Sequence, residues 1–213
     1  MATNGLSEEF ITAFRAAESG HREAIKECYT VPPLRTKTML GEGGVLQDAC
    51  HHLANTLDLA LEYKREWYTI DALFVSGKEL IYPDGSVASD GHRLWYPSRL
   101  DVLVEHENKG NLEEEMWKLL FWYAKLKVII GYDFCENEYD EKLGRGQAGA
   151  KRDWAPRKIQ QLRGMLREVH GADGDGAEYL LILGNRGAWA DDSPVAWRWC
   201  RLDDDSSELV PLG

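Results

Sequence analysis

Asp71 lies between Ile70 and Ala72, inside the run Tyr68-Thr69-Ile70-Asp71-Ala72-Leu73-Phe74-Val75, which is rich in aromatic and β-branched residues. A second run of this kind, residues 100–107, closes on Glu105-His106-Glu107. Side chains alternate across a strand, so Asp101, Leu103, Glu105 and Glu107 share one face while Leu100, Val102, Val104 and His106 share the other. An ionised carboxylate inside an apolar sheet costs on the order of several kcal/mol unless something neutralises it. A divalent cation would do so. Carboxylate oxygens suit Mg²⁺ or Mn²⁺, which keep several waters and can share oxygens with a substrate phosphate. Such an ion polarises a phosphodiester and activates an attacking water. Asp71, Glu105 and Glu107 are the candidate ligands. The competing reading is an ordinary charge network with lysines or arginines at the end of a sheet.

A second constellation is basic. Lys151, Arg152, Arg157, Lys158, Arg163 and Arg167 are opposed within residues 151–167 only by Asp153, on a segment with helical periodicity. With 36 acidic against 25 basic residues the net charge is -11, so the molecule as a whole does not attract polyanions and any contact with nucleic acid must be local. The stripe is the candidate for phosphate contact, with a solvated helix face as the plain alternative.

The elements that must position these residues follow from periodicity. Phe10, Ile11, Phe14, Ala17, Ala24 and Ile25 suggest one or two amphipathic helices interrupted near Ser19-Gly20, and Pro32-Pro33 with Gly41, Gly43 and Gly44 mark a linker. Leu46, Ala49, Cys50, Leu53, Leu57, Ala60 and Leu61 predict a long helix over 45–64. Strands follow at 68–75 and 100–107, separated by a glycine- and aspartate-rich hairpin or surface loop over 76–98. Asn111 and Glu114 have the spacing of an N-cap and its reciprocal acid for a helix over 112–126, buried through Leu112, Met116, Leu119, Leu120 and Tyr123. A third strand at 127–132, a helix at 159–169 and strands at 179–183 and 195–202 complete the pattern, before a frayed acidic tail at 203–205. The order is that of an α/β fold with a mixed sheet flanked by helices. Residues 1–40 read as an N-terminal helical arm and linker, and residues 41–213 as the α/β domain.

Several signals carry less. Gly144-Arg145-Gly146-Gln147-Ala148-Gly149 spells G-x-G-x-x-G but does not follow a strand directly, and Pro83-Asp84-Gly85 is a β-turn sequence. His51 and His52 diverge by about 100° around a helix and cannot readily chelate one ion. The tryptophans, Trp189, Trp197 and Trp199 among them, suit a core or an interface better than base stacking. Cys28, Cys50, Cys135 and Cys200 form no metal-binding spacing and are expected as reduced thiols. No run approaches a membrane span, and cytoplasmic residence is the expectation.

Ile70-Asp71-Ala72, then Val102-Leu103-Val104-Glu105-His106-Glu107-Asn108, then a helix opening Leu112-Glu113-Glu114, resembles the core of the PD-(D/E)XK nuclease superfamily. The resemblance implies a restriction endonuclease-like α-β-β-β-α-β core over about residues 45–133, a metal site on adjacent strands, and hydrolysis of nucleic acid, DNA ahead of RNA. It implies Asp71 and Glu105 as the motif acids, with Glu107 standing where lysine is usual. Lys109 would restore the motif one step later, and Lys118 on the following helix could reach back as a migrated lysine. Glu62 is the candidate for the further acid that the family often carries on the preceding helix. A homodimer is implied where both strands of a duplex are cut. The missing lysine also leaves room for a catalytically idle binding or assembly module.

Overall fold

The computed structural model describes residues 5–30, 34–67, 69–79, 95–108, 111–133, 154–171, 174–185, 197–204 and 208–212. Helices α1 (Leu6–Gly20), α2 (Arg22–Thr30), α3 (Leu34–Leu40) and α4 (Val45–Leu57) precede strands β1 (Glu62–Trp67), β2 (Ile70–Glu79) and β3 (Trp95–His106). Helix α5 (Leu112–Leu120), β4 (Leu126–Asp133), α6 (Trp154–His170), β5 (Glu178–Asn185), β6 (Arg198–Arg201) and β7 (Val210–Pro211) follow. The strands form one seven-stranded mixed sheet in sequential order. β3, β4 and β5 are parallel to one another, and the other neighbours are antiparallel.

Helices cover both faces. On one, Phe10 and Phe14 of α1 and Leu46 and Leu53 of α4 pack on Ala72, Phe74, Val102, Val128 and Ile182. On the other, Leu112, Met116 and Leu119 of α5 and Ile159 and Leu162 of α6 pack on Leu103, Ile129, Leu181 and Leu183. A sheet buried on both faces explains the continuous apolar runs of its central strands. Helix α1 of the expected arm is thus a member of the main core. Glu178 of β5 fixes its start: the carboxylate accepts from the Leu6 and Ser7 amides at 2.8 and 3.0 Å, satisfying N–H groups that a helix leaves unpaired.

Three expectations change. The predicted linker contains α3, which begins at Leu34 and buries Met39 and Leu40. The helix predicted over 45–64 ends at Leu57, because Asp58 turns left-handed at φ 51° and ψ 47° and its amide bonds back to Ala54. Glu62 consequently lies on edge strand β1, opposite Val75, and not on a helix. The third concerns the tail expected to fray over 203–205: Asp203 accepts from the Tyr179 amide at 3.2 Å, and farther on Leu212 donates to the Trp197 carbonyl at 2.8 Å, while Asp205 lies outside the described residues.

Left-handed backbone is strained for a side chain bearing Cβ, and glycine relieves it. Asp58→Gly is therefore expected to raise the unfolding free energy by roughly 0.5–1 kcal/mol, read as a higher urea midpoint with an unchanged slope.

Of the segment read as a hairpin or surface loop over 76–98, the described ends belong to β2 and β3 and pair, with Ser76 opposite Arg99 and Glu79 opposite Trp95, and residues 80–94 lie outside the described residues. Pro83-Asp84-Gly85, the Gly144-x-Gly146-x-x-Gly149 run, Trp189 and Cys135 lie outside the described residues. Cys28, Cys50 and Cys200 are buried free thiols, and burial raises the Cys50 thiol pKa to about 12. Trp197 belongs to the core, at 2% exposure. Among the described residues, no helix is long and apolar enough to cross a membrane.

Candidate active site

The antiparallel register of β2 and β3 sets Ala72 opposite Val104, which brings Asp71 beside the C-terminal end of β3. Asp71 Oδ2 accepts a hydrogen bond of 2.8 Å from the His106 amide. Asp71 and Glu105 lie two residues from Leu73 and Leu103, share their face of the sheet, and so point toward α5. From that helix Lys118 reaches back, its Nζ 3.3 Å from Glu105 Oε2 and 2.5 Å from Glu115 Oε2. Glu115 and Lys118 are three residues apart, hence neighbours on one helical face.

Burial decides the electrostatics. Glu105 is fully buried, whereas the Lys118 side chain remains 29% exposed. Desolvation raises the Glu105 pKa to about 10, reinforced by hydrogen bonding with Glu115 and the negative charges of Asp71 and Glu115, and opposed by Lys118. Asp71 is also raised, first by desolvation and then by Glu115, against the His106 amide, Lys118 and Glu105, which lower it. For Lys118 desolvation acts downward, but its bonds and charge interactions with Glu115 and Glu105 outweigh it and keep the ammonium above the usual lysine value. Three acids thus share one ammonium. Glu105 Oε1 is buried and receives no hydrogen bond, so this oxygen has an acceptor position open to a donor or a cation.

The expected three-acid set is not assembled. Glu107 lies one residue beyond β3, half-buried, its amide bonded to the Ile130 carbonyl at 2.8 Å. Among the described residues, no group of three or more His, Cys, Asp or Glu side chains is arranged to hold a metal ion. Asp71 and Glu105 remain as a pair, and a pair is compatible with Mg²⁺, which is commonly held by one or two carboxylates together with waters and substrate oxygens. The unsatisfied Glu105 oxygen and the all-oxygen donor set fit such an ion. Of the two lysines expected to replace the motif residue, Lys118 joins the acids and Lys109 lies outside the described residues.

Glu115 was not anticipated from sequence. In Glu113-Glu114-Glu115 it reads as one more acid favoured by the helix dipole. The informative signal was its position one residue before buried Met116 and three before Lys118. Asn111 and Glu114 do meet, but side chain to side chain at 2.6 Å, without the expected cap to the helix amides. Tyr123, expected on the buried stripe, lies beyond the end of α5 and is 86% exposed.

The basic stripe is divided. Lys151 and Arg152 lie outside the described residues. Arg157 is exposed, as phosphate contact requires, and Lys158 forms an ion pair with Glu113 of α5. Arg163 is not on the stripe's solvent face: it is buried and donates to the Arg201 carbonyl at 2.8 Å. Its spacing from Ile159, Leu162 and Leu166 places it on the inward side of α6.

Across the sheet, His106 is buried against Tyr132, with Nε2 2.8 Å from the phenol oxygen. Burial, then the charge of Arg35, lowers the imidazole pKa to about 4. His51 and His52 are exposed on α4, and His51 lies 3.8 Å from Asp48. No family model, curated protein or solved structure matches the chain.

Proposed function

We propose that this protein is a metal-dependent nuclease of the PD-(D/E)XK type, with a restriction endonuclease-like core, acting on nucleic acid and on DNA ahead of RNA. The observation that carries this reading is Lys118: it arrives from α5 at Glu105, beside Asp71, in a chain whose motif places glutamate at position 107. The element order α4-β1-β2-β3-α5-β4 supports it, since it has the α-β-β-β-α-β sequence of that core.

On this reading Asp71 and Glu105 hold Mg²⁺ or Mn²⁺, which when bound polarises the scissile phosphodiester and makes a water available as nucleophile. The remaining roles belong to the chain itself. The His106 amide fixes one Asp71 oxygen, so the carboxylate is oriented before any ligand arrives. The Lys118 ammonium, a donor only, orients an attacking water and offsets charge developing on the phosphate. Glu115 holds Lys118 against α5 and leaves its other donors directed at the acids. Arg157, with Lys151 and Arg152, supplies phosphate contacts farther along the strand. A homodimer would place a second such site on the opposite strand of a duplex.

A binding or assembly module without catalysis is the second reading, favoured by one observation: Lys118 is already engaged by two carboxylates, as in a structural ion-pair network. The two separate in solution. Purified protein incubated with circular DNA, linear DNA and RNA is expected to cleave at least one with Mg²⁺ or Mn²⁺ and none with chelator. Calorimetric titration with Mn²⁺ is expected to show one site. Mn²⁺ binding without cleavage would select the idle module, and absence of both would remove the metal reading altogether.

A further inference from the structure

Helix α5 turns one side to the core and the acidic cluster and the other to solvent. On the solvent side Trp117 and Phe121, four residues apart and so on one ridge, are 55% and 64% exposed. Their rings meet edge to face, with centroids 4.6 Å apart. Tyr123, two residues past Phe121, is 86% exposed. Aromatic side chains bury about 150–250 Å² each, so these three leave roughly 400 Å² in water, the size of patch that marks an interaction surface.

The charges bordering the ridge select what can cover it. Glu114, three residues before Trp117, is exposed, and its 2.6 Å partner is the neutral side-chain amide of Asn111, so its charge is not offset there. Past the other end of α5 stand Lys125 and Arg99, both exposed, at 3.1 and 2.6 Å from the buried carboxylate of Asp101. Two cations on one acid leave a positive charge over among the described residues. Asp101 shares the face of Leu103 and Glu105, so this charge lies on the same side of the sheet as α5. Along the chain the order is acid, aromatic, base. A second copy laid antiparallel across the ridge meets the reverse order: aromatic rings face aromatic rings, and Glu114 lies toward the partner's Lys125. Such self-complementarity is what a two-fold contact requires. Nucleic acid fits less well, because its phosphates would lie against Glu113 and Glu114 at the start of the same helix.

We propose that the Trp117–Phe121 ridge of α5 is a two-fold interface between two copies of this chain, with the helices antiparallel. Both copies and a charged rim together bury on the order of 1,000 Å², the lower limit for a specific contact, so association is reversible and in the micromolar range. It forms against the general repulsion of two chains of net charge -11, which salt screens. Lys118 directly follows Trp117, so an acid–lysine cluster lies beside the interface in each copy. That the two clusters act on one duplex rests on the nuclease reading; the interface does not.

The test is sedimentation equilibrium of the full chain, free of metal and nucleic acid, at physiological ionic strength and over about 1–200 µM. The wild type is expected to dimerise. Trp117→Ala combined with Phe121→Ala is expected to weaken the dimer at least about thirtyfold, the loss typical of truncating one aromatic anchor. Both side chains are exposed, so the melting temperature of the monomer should hold. Glu114→Lys is expected to weaken the dimer severalfold. Glu42→Lys makes the same charge change between α3 and α4, across the sheet, and is expected to leave the dimer unchanged or tighten it. A wild type that stays monomeric, a dimer indifferent to the double alanine variant, or equal effects of the two charge reversals would overturn the proposal. So would a monomeric wild type whose binding of a short DNA duplex in chelator falls in the double variant, an outcome that gives the ridge to bases. Dimerisation lost in the double variant, in a protein that never cleaves with metal, would leave the interface standing and remove the nuclease; cleavage by a wild type that never dimerises would do the reverse.

Discussion

Lys118→Ala is expected to lower metal-dependent cleavage by about 10²–10⁴-fold, the range associated with losing a positioned proton-handling or charge-stabilising group. The fold should survive, because Lys118 is partly exposed and its alkyl stem is not part of the packed stripe of α5. Mn²⁺ binding should survive as well, or tighten, since the ammonium competes with a cation for Glu105. Glu105→Gln provides the contrast. It replaces a carboxylate with a neutral group of nearly the same shape, and it should abolish both cleavage and Mn²⁺ binding while leaving the melting temperature equal or higher. Relief of a crowded acid is expected to favour the fold at the cost of the function. Loss of cleavage in Glu105→Gln with Mn²⁺ affinity unchanged would show that the metal is held elsewhere. Full activity in Lys118→Ala would transfer the water-orienting role to another residue.

Asp175→Ala is expected to destabilise the protein by about 3–5 kcal/mol, the cost of stranding a buried charge. The stranded group is Lys127 of β4, whose side chain is fully buried and whose Nζ lies 2.5 Å from Asp175 Oδ2 and 2.7 Å from the Tyr179 hydroxyl. Burial pulls the Lys127 pKa down despite its partner, so the ammonium tolerates this place only because Asp175 is there. For Asp175, burial acts upward but the hydrogen bond from Lys127, the Ala177 amide and the Lys127 charge prevail, leaving the carboxyl below its usual value. A carboxyl depressed in the folded state contributes stability above its unfolded pKa and loses it as pH falls through the folded one. The wild type should therefore shed this increment only on acidification below about pH 4. Asp175→Ala should start lower and lack that acid-labile part. A drop of roughly 10 °C or more in melting temperature is the calorimetric counterpart for a chain of this size. Lys127→Met combined with Asp175→Ala should recover much of the loss, because an apolar side chain leaves no ion unpaired. If the double variant melts no higher than Asp175→Ala alone, the effect lies in the loop geometry and not in the charge.

The parts of this molecule that were legible in sequence are those in which a single physical pattern dominates. β2, β3, β4 and β5 are apolar on both faces and could be read as covered strands. Asp71 and Glu105 stood out against that background because acids are costly there. Lys118 was legible as one of two ways to supply a missing cation. What escaped had two patterns in competition. Ala60 and Leu61 continued the helical spacing past Leu57, whereas the left-handed turn at Asp58 ended the helix and left Glu62-Tyr63-Lys64-Arg65-Glu66-Trp67 to form a polar edge strand. Glu115 was hidden in a run of acids that any helix start favours, and Lys127 among the first residues of a strand. Arg163 was grouped with its neighbours by charge, although its spacing from Ile159 and Leu166 belongs to the core face.

The two borders of the sheet have a consequence for how copies of this chain can associate. β1 presents Glu62, Lys64, Arg65 and Glu66 along its length, and β7 offers only Val210 and Pro211, the second of which has no amide hydrogen to give. Dense alternating charge on one rim and a two-residue strand containing proline on the other both discourage continuation of the ladder by another molecule. Self-assembly of this protein would accordingly join helices or loops, and fibrillar stacking through its strands is disfavoured from either side.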